Sequence, residues 1–121
     1  MKKIIATLIA VLLFASNFTV FANDYDTHWS AASIDFLIEN GIVSGNYYGD
    51  VNPEGIITRA EFAKIVNRAF GYTDAGGEQV QDVRADKWYY NEMKIARNAG
   101  YMLGDANGNS NPEKGITRAE V

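Results

Sequence analysis

Apolar positions along this chain recur at helical spacing in separate stretches, divided by two long glycine-punctuated segments. In the first stretch, Trp29, Ser33, Phe36, Leu37 and Asn40 share one helical stripe, with Gly41 placed as a C-terminal cap. Ile34 and Ile38 lie off that stripe, which predicts a helix with neighbours on two sides. A loop over 41–57 follows, carrying Gly41, Gly45, Gly49 and Gly55 with Asn52-Pro53 as a turn signal. Ile56-Ile57 allows a short extended piece. Thr58-x-x-Glu61 then reads as a capping box, in which each side chain satisfies the other residue's backbone N–H. It opens a second helix with Phe62, Ile65, Val66, Ala69 and Phe70 as its apolar stripe, ended by Gly71. The plan starts again at Trp88, with Ile95, Ala96 and Ala99 on the stripe of the next helix. A further capping box, Thr117-x-x-Glu120, stands just before Val121. A helix needs more than one turn to nucleate, so the last helix is expected to be cut short.

The two halves are copies. A shift of 59 residues aligns 29–62 with 88–121 without a gap, and 12 of the 34 pairs are identical. The identities include Trp29/Trp88, Gly45/Gly104, Asn52-Pro53-Glu54 over Asn111-Pro112-Glu113, and Ile57-Thr58-Arg59-Ala60-Glu61 over Ile116-Thr117-Arg118-Ala119-Glu120. Unrelated sequences match at about two of 34 positions, so the chain is a tandem array. The expected organisation is a leader over 1–22, a first repeat over 24–71, a linker over 72–81 and a second repeat over 82–121. The expected fold is all-α, built of helix–loop–helix repeats that complete one another's cores.

The leader has its own pattern. Met1-Lys2-Lys3 is basic, Ile4 to Ala15 is apolar apart from Thr7, and Val20-Phe21-Ala22 suits a cut before Asn23. That is the form of a secretory signal peptide. A membrane anchor fits less well, because Ser16, Asn17 and Thr19 interrupt the run and no basic cluster follows. No cysteine stands at the cut, which excludes a lipid-modified N-terminus.

Composition narrows the chemistry. The chain has 121 residues, no cysteine and one histidine, so disulfides, thiolate sites and multi-histidine metal sites are excluded. Its net charge of −4 becomes −6 once the leader and its two lysines are removed. Such a chain does not attract nucleic acid or anionic lipid in bulk, so an anionic partner would have to meet local donors. Asp105-x-Asn107-x-Asn109 invites a calcium reading, but Ser110 and Ile116 stand where an EF-hand loop needs Gly and Glu. An Asn/Gly turn accounts for it better. His28 is replaced by Lys87 in the second copy, and Glu54/Glu113 and Glu61/Glu120 are explained by turns and caps. No catalytic residue, metal or cofactor is expected.

His28-Trp29, Gly41-Ile42-Val43-x-Gly45, Asn52-Pro53, Ile57-Thr58-Arg59-Ala60-Glu61-Phe62-Ala63 and the lead-in Asp82-Val83 together resemble the S-layer homology (SLH) family. The resemblance covers nearly all of 24–121. It implies a non-catalytic module that tethers an exported protein to secondary cell-wall polysaccharide, often polymers carrying pyruvate ketals, at the bacterial cell wall or S-layer. It also implies a pseudo-threefold assembly with ligand grooves between repeats, incomplete here, which self-association or a third repeat would complete. The family's ligand-binding arginine falls on Arg59 and Arg118. Two further settings fit the same module: the anchor of a wall-active hydrolase, or of a self-assembling lattice protein.

The residues themselves bear on that expectation. Capping explains Thr58, Glu61, Thr117 and Glu120, but not an arginine at the first helical position, where the macrodipole is positive. Its repetition suggests an anion there, held by the guanidinium and the helix N–H groups. Trp29 and Trp88 read first as core, with a ring edge available to a sugar. Gly45 and Gly104 read as tight-turn residues that could also leave room for the sugar.

Overall fold

The computed structural model describes residues 22–46 and 48–121. The expected leader lies outside the described residues except for Ala22. Three helices form: α1 Ala31–Glu39, α2 Arg59–Phe70 and α3 Tyr90–Asn98. Among the described residues there is no strand, only an isolated antiparallel bridge between Thr58 and Gly115. The fold is therefore all-α, and no described helix is long and apolar enough to cross a membrane.

The helices pair across the repeat boundary. Helix α2, the second helix of copy one, packs on α3, the first helix of copy two, and no other pair of described helices makes close backbone contact. Their shared core holds Ala60 and Ala63 of α2, Met93 and Ala96 of α3, and Val80, Val83, Tyr89 and Met102 from the flanking segments. Val80, from the stretch expected to be linker, is thus buried at the centre.

The expected apolar stripes are rotated. On α2 the buried line is Ala60, Ala63 and Asn67, while Phe70 is exposed and Phe62, Ile65 and Val66 are half-buried. Small residues allow α3 to approach closely, which leaves the larger side chains to flank the contact. On α3 the buried residues are Met93 and Ala96, whereas Ile95 is half-buried and Ala99 exposed. On α1 Ile34 is the buried residue and Phe36 is exposed, the reverse of the expected stripe. Periodicity finds a helix, but the neighbour chooses the face. Asn67 supplies a polar pin at the α2–α3 contact. Its Nδ2 donates to the Glu92 carboxylate (2.8 Å) and its Oδ1 accepts from the Tyr101 hydroxyl (2.7 Å). Buried polar groups are tolerated when partnered in this way.

Candidate functional site

The site begins at the first capping box, which forms as expected. The backbone N–H of Glu61 donates to Thr58 Oγ1 (3.2 Å), and Glu61 Oε2 accepts from the Thr58 N–H (2.8 Å). Arg59 occupies the first helical position. The N–H groups of Arg59 and Ala60 donate to the carbonyls of Lys114 and Pro112, both at 2.9 Å. Ile116 N–H returns a bond to the Ile57 carbonyl at 2.9 Å. The two Ile-Thr-Arg-Ala-Glu segments are thereby joined. This corrects one expectation: the first N–H groups of α2 are engaged by copy two and are not open to an anion. A helix end that is buried needs such partners, and here the next repeat provides them.

The Arg59 side chain follows its backbone. Its Nε donates to the Ser110 carbonyl (2.7 Å) and its Nη1 to Glu120 Oε1 (3.1 Å). The side chain is only 13% exposed. Glu120 also accepts from the N–H and the hydroxyl of Thr117. Those Thr117 bonds, with the nearby charges of Lys114 and Arg59, hold its carboxyl below the usual value. Arg118 is exposed and has no hydrogen bond or ion pair to any described residue. It lies in a turn over 118–120, so the second Thr-x-x-Glu pair makes the side-chain half of a capping box without a helix behind it.

Helix α2 is a wall between two grooves. One, of about 680 Å³, lies between α2 and the loop of copy two; Arg59, Phe62, Phe70, Tyr101 and Gly104 line it. The other, of about 630 Å³, lies on the opposite side of α2 against the loop of copy one; Gly45, Lys64, Arg68 and Trp88 line it. The structure thus brings Arg59 together with Gly104, and Gly45 together with Trp88. Trp29 and Arg118 line neither groove. Both helices begin two residues later than expected, so each indole stands in the turn before its helix, and their reading as core is overturned. Trp29 is 89% exposed and Trp88 56%.

The two glycines are required by close approach. A Cβ on Gly45 would fall 2.4 Å from the Gly49 carbonyl oxygen, and one on Gly104 would fall 2.8 Å from that of Asn109. Gly104 also has φ of +88°, a conformation open mainly to glycine. In the same loops Asn46 Oδ1 accepts from the N–H groups of Tyr48 and Asp50, and Asp105 Oδ1 from those of Asn107 and Asn109. Those backbone bonds, Asn109 foremost, hold the Asp105 carboxyl below the usual carboxylate range. Among the described residues no cluster of acids and histidine is arranged to hold a metal.

Two further pairs of acids contribute bonds that the sequence reading did not assign to them. Asp24 accepts from the N–H groups of Val51 and Asn52 (2.9 and 2.6 Å), and Asp82 from those of Ser110 and Asn111 (2.8 and 2.6 Å). These two carboxylates clasp the same loop position in each copy. Asp24 escapes the ungapped alignment because it stands five residues before its tryptophan and Asp82 six. Glu54 and Glu113, read as turn residues, are partners of position 28/87. His28 Nε2 meets Glu54 Oε1 at 2.6 Å, and Lys87 Nζ meets Glu113 Oε1 at 3.5 Å. Tyr89 also donates to Glu113 (2.8 Å), and that bond, then Lys87, lowers the Glu113 value.

Comparison with known proteins agrees with this duplicated plan. The family described as S-layer homology domain matches residues 23–63 and 81–121, one match in each copy. Similar proteins include a surface-layer 125 kDa protein of Lysinibacillus sphaericus, 30% identical over 101 residues. That match covers 82% of this chain and 9% of the relative. An amylopullulanase of Thermoanaerobacterium thermosulfurigenes is 34% identical over 101 residues, covering 82% of this chain and 5% of the relative. A cellulosome-anchoring protein of Acetivibrio thermocellus is 29% identical over 101 residues, covering 78% of this chain and 22% of the relative. The chain spans less than a quarter of each relative's length. It belongs to the S-layer homology family.

Proposed function

We propose that this member of the S-layer homology family is a non-catalytic anchoring module of a bacterial surface protein. It works at the cell surface and binds secondary cell-wall polysaccharide, with pyruvate-ketal carboxylates as the recognised groups. The observation that carries this reading is the pair of grooves on either side of α2. Each combines a loop glycine that exposes backbone with a cation and an aromatic ring. Carboxylates pair well with guanidinium forks, and aromatic faces suit sugar rings. Arg59 and Gly104 serve one groove, Trp88 and Gly45 the other.

Trp29 and Arg118 enter the same reading through a third unit. The face of α1 around Ile34 and Leu37 corresponds to the face of α3 around Met93 and Ala96, which α2 covers. A third repeat, or a neighbouring copy, would cover α1 in the same way and close a pseudo-threefold assembly. Trp29 would then line a groove as Trp88 does, and Arg118 would meet the loop of the next unit as Arg59 meets Ser110. The first repeat is assigned to 24–71, the linker to 72–81 and the second repeat to 82–121, with 1–22 as a secretory leader.

Co-sedimentation of the full-length chain with purified wall sacculi tests the reading. Binding is expected, and Arg59→Ala combined with Arg118→Ala is expected to reduce the bound fraction at least fivefold. Unchanged binding by that double variant would remove the arginines from the mechanism. The likeness to an amylopullulanase and to a surface-layer protein supports two settings for the module, a hydrolase anchor or a lattice anchor.

A further inference from the structure

We propose that Lys64 and Arg68 form a second carboxylate-binding wall, in the Trp88 groove, separate from the arginine of the Ile-Thr-Arg-Ala-Glu segment. The inference rests on the polysaccharide reading and gives a role to the cations of this groove. Arg59 faces the other groove and is held by Ser110 and Glu120. The leading N–H groups of α2 are also engaged.

Lys64 and Arg68 stand one turn apart on α2, a spacing that puts them on one face. Both line the cavity that holds Gly45 and Trp88. Lys64 Nζ lies 5.3 Å from the centroid of the Trp88 ring, within cation–π range. That contact stations an ammonium beside the indole. Neither the Lys64 nor the Arg68 side chain has an ion pair or hydrogen bond to a described residue. In a chain of net charge −4, two uncommitted cations on one groove wall are a local exception.

The two acids of that groove, Glu61 and Asp50, each turn one oxygen to a neighbouring donor. Glu61 Oε2 accepts from the Thr58 N–H and hydroxyl, and Asp50 Oδ2 accepts from Asn46 Nδ2. An incoming carboxylate is met on the helix wall by the two cations, while the exposed part of the Trp88 ring offers a flat apolar surface to the sugar's C–H groups. The groove selects an acidic sugar and discriminates against its neutral counterpart.

The test uses the full chain and nuclear magnetic resonance, in which Trp29 and Trp88 give separate indole N–H signals. The probe is a methyl glycoside bearing a pyruvate ketal, with the ketal-free glycoside as its neutral control. The ketal sugar is expected to shift the Trp88 signal saturably, and the neutral sugar to leave it in place. Lys64→Gln with Arg68→Gln is expected to weaken that titration at least tenfold, Lys64→Arg to preserve it, and Lys94→Gln on α3 to leave it unchanged. Equal titration of the double variant and the parent would overturn the proposal. So would a Trp88 signal that ignores the ketal sugar in a parent chain that still sediments with sacculi, and then the wall-binding reading would stand. Loss of both signals and sedimentation would remove the two together.

Discussion

Helix α3 buries Met93 and Ala96 against α2, whereas α1, at the corresponding place in copy one, buries Ile34 alone and leaves Phe36 60% exposed. The indoles ahead of the two helices follow suit, 56% exposed before α3 and 89% before α1. Both helices are nine residues long and both precede a glycine loop, but they share no identical residue, and α1 is the more apolar of the two. The difference in burial lies in the preceding helix. Helix α3 has α2 in front of it and α1 has no described helix there. The packing unit therefore straddles the boundary between copies: the second helix of one joined to the first helix of the next.

The sharpest test of this contrast is a matched pair of truncations. Met93→Ala removes a side chain that is 1% exposed within the α2–α3 core and is expected to cost about 2–5 kcal/mol, the usual range for a buried Met-to-Ala change. Ile34→Ala, at the equivalent position, is expected to cost less than half as much, because no facing helix loses its contacts. Urea unfolding followed by circular dichroism measures both. Equal costs would mean that α1 has a partner as extensive as α2.

The two arginines give the next contrast. Arg59→Ala leaves the Ser110 carbonyl and one Glu120 oxygen without their donor and is expected to cost about 1–2 kcal/mol. Arg118→Ala, at an exposed turn, is expected to stay within about 0.5 kcal/mol. The same urea series would show it. A stability effect of Arg59→Ala without loss of sacculus binding would make Arg59 a joint between repeats and nothing more.

Acid sets the smallest contrast. Asp24 in copy one and Asp105, Glu113 and Glu120 in copy two are all held below their ordinary values of 3.8 for Asp and 4.5 for Glu. A carboxyl depressed in the folded state stabilises fully above its unfolded value and loses that contribution as pH falls through its folded one. Stability is therefore expected to hold from neutrality to about pH 5 and to fall below 4.5. Three of the four groups lie in copy two, so amide exchange should rise first around its loop. Glu120→Gln should flatten the acid limb of the urea midpoint against pH.

Within single segments, the residues announced their structure well. The capping box at Thr58 and Glu61, the glycine loops and the Asn-rich turns depend on groups a few positions apart, and each formed. The candidate site was legible in part. Gly45 and Gly104 mark their loops because backbone approaches them closely, and Arg59 stands at the groove expected between repeats. The aspartate clasps were hidden by a one-residue offset. Lys64 and Arg68 gave no repeat signal, since the matching positions of a second copy lie past the aligned segment.

What the sequence determined by itself was the duplication, the two ends of α2 set by its capping box and Gly71, and the family, all written in local spacing and identity. The tertiary structure decided which helix faces which and where identical residues find partners. Arg59 reaches Ser110 and Glu120, 51 and 61 residues along the chain, while Arg118 in the same motif is exposed. The reason is physical. A repeat encodes each unit's own hydrogen bonds, but burial depends on what stands against it, and the two copies do not have the same neighbour.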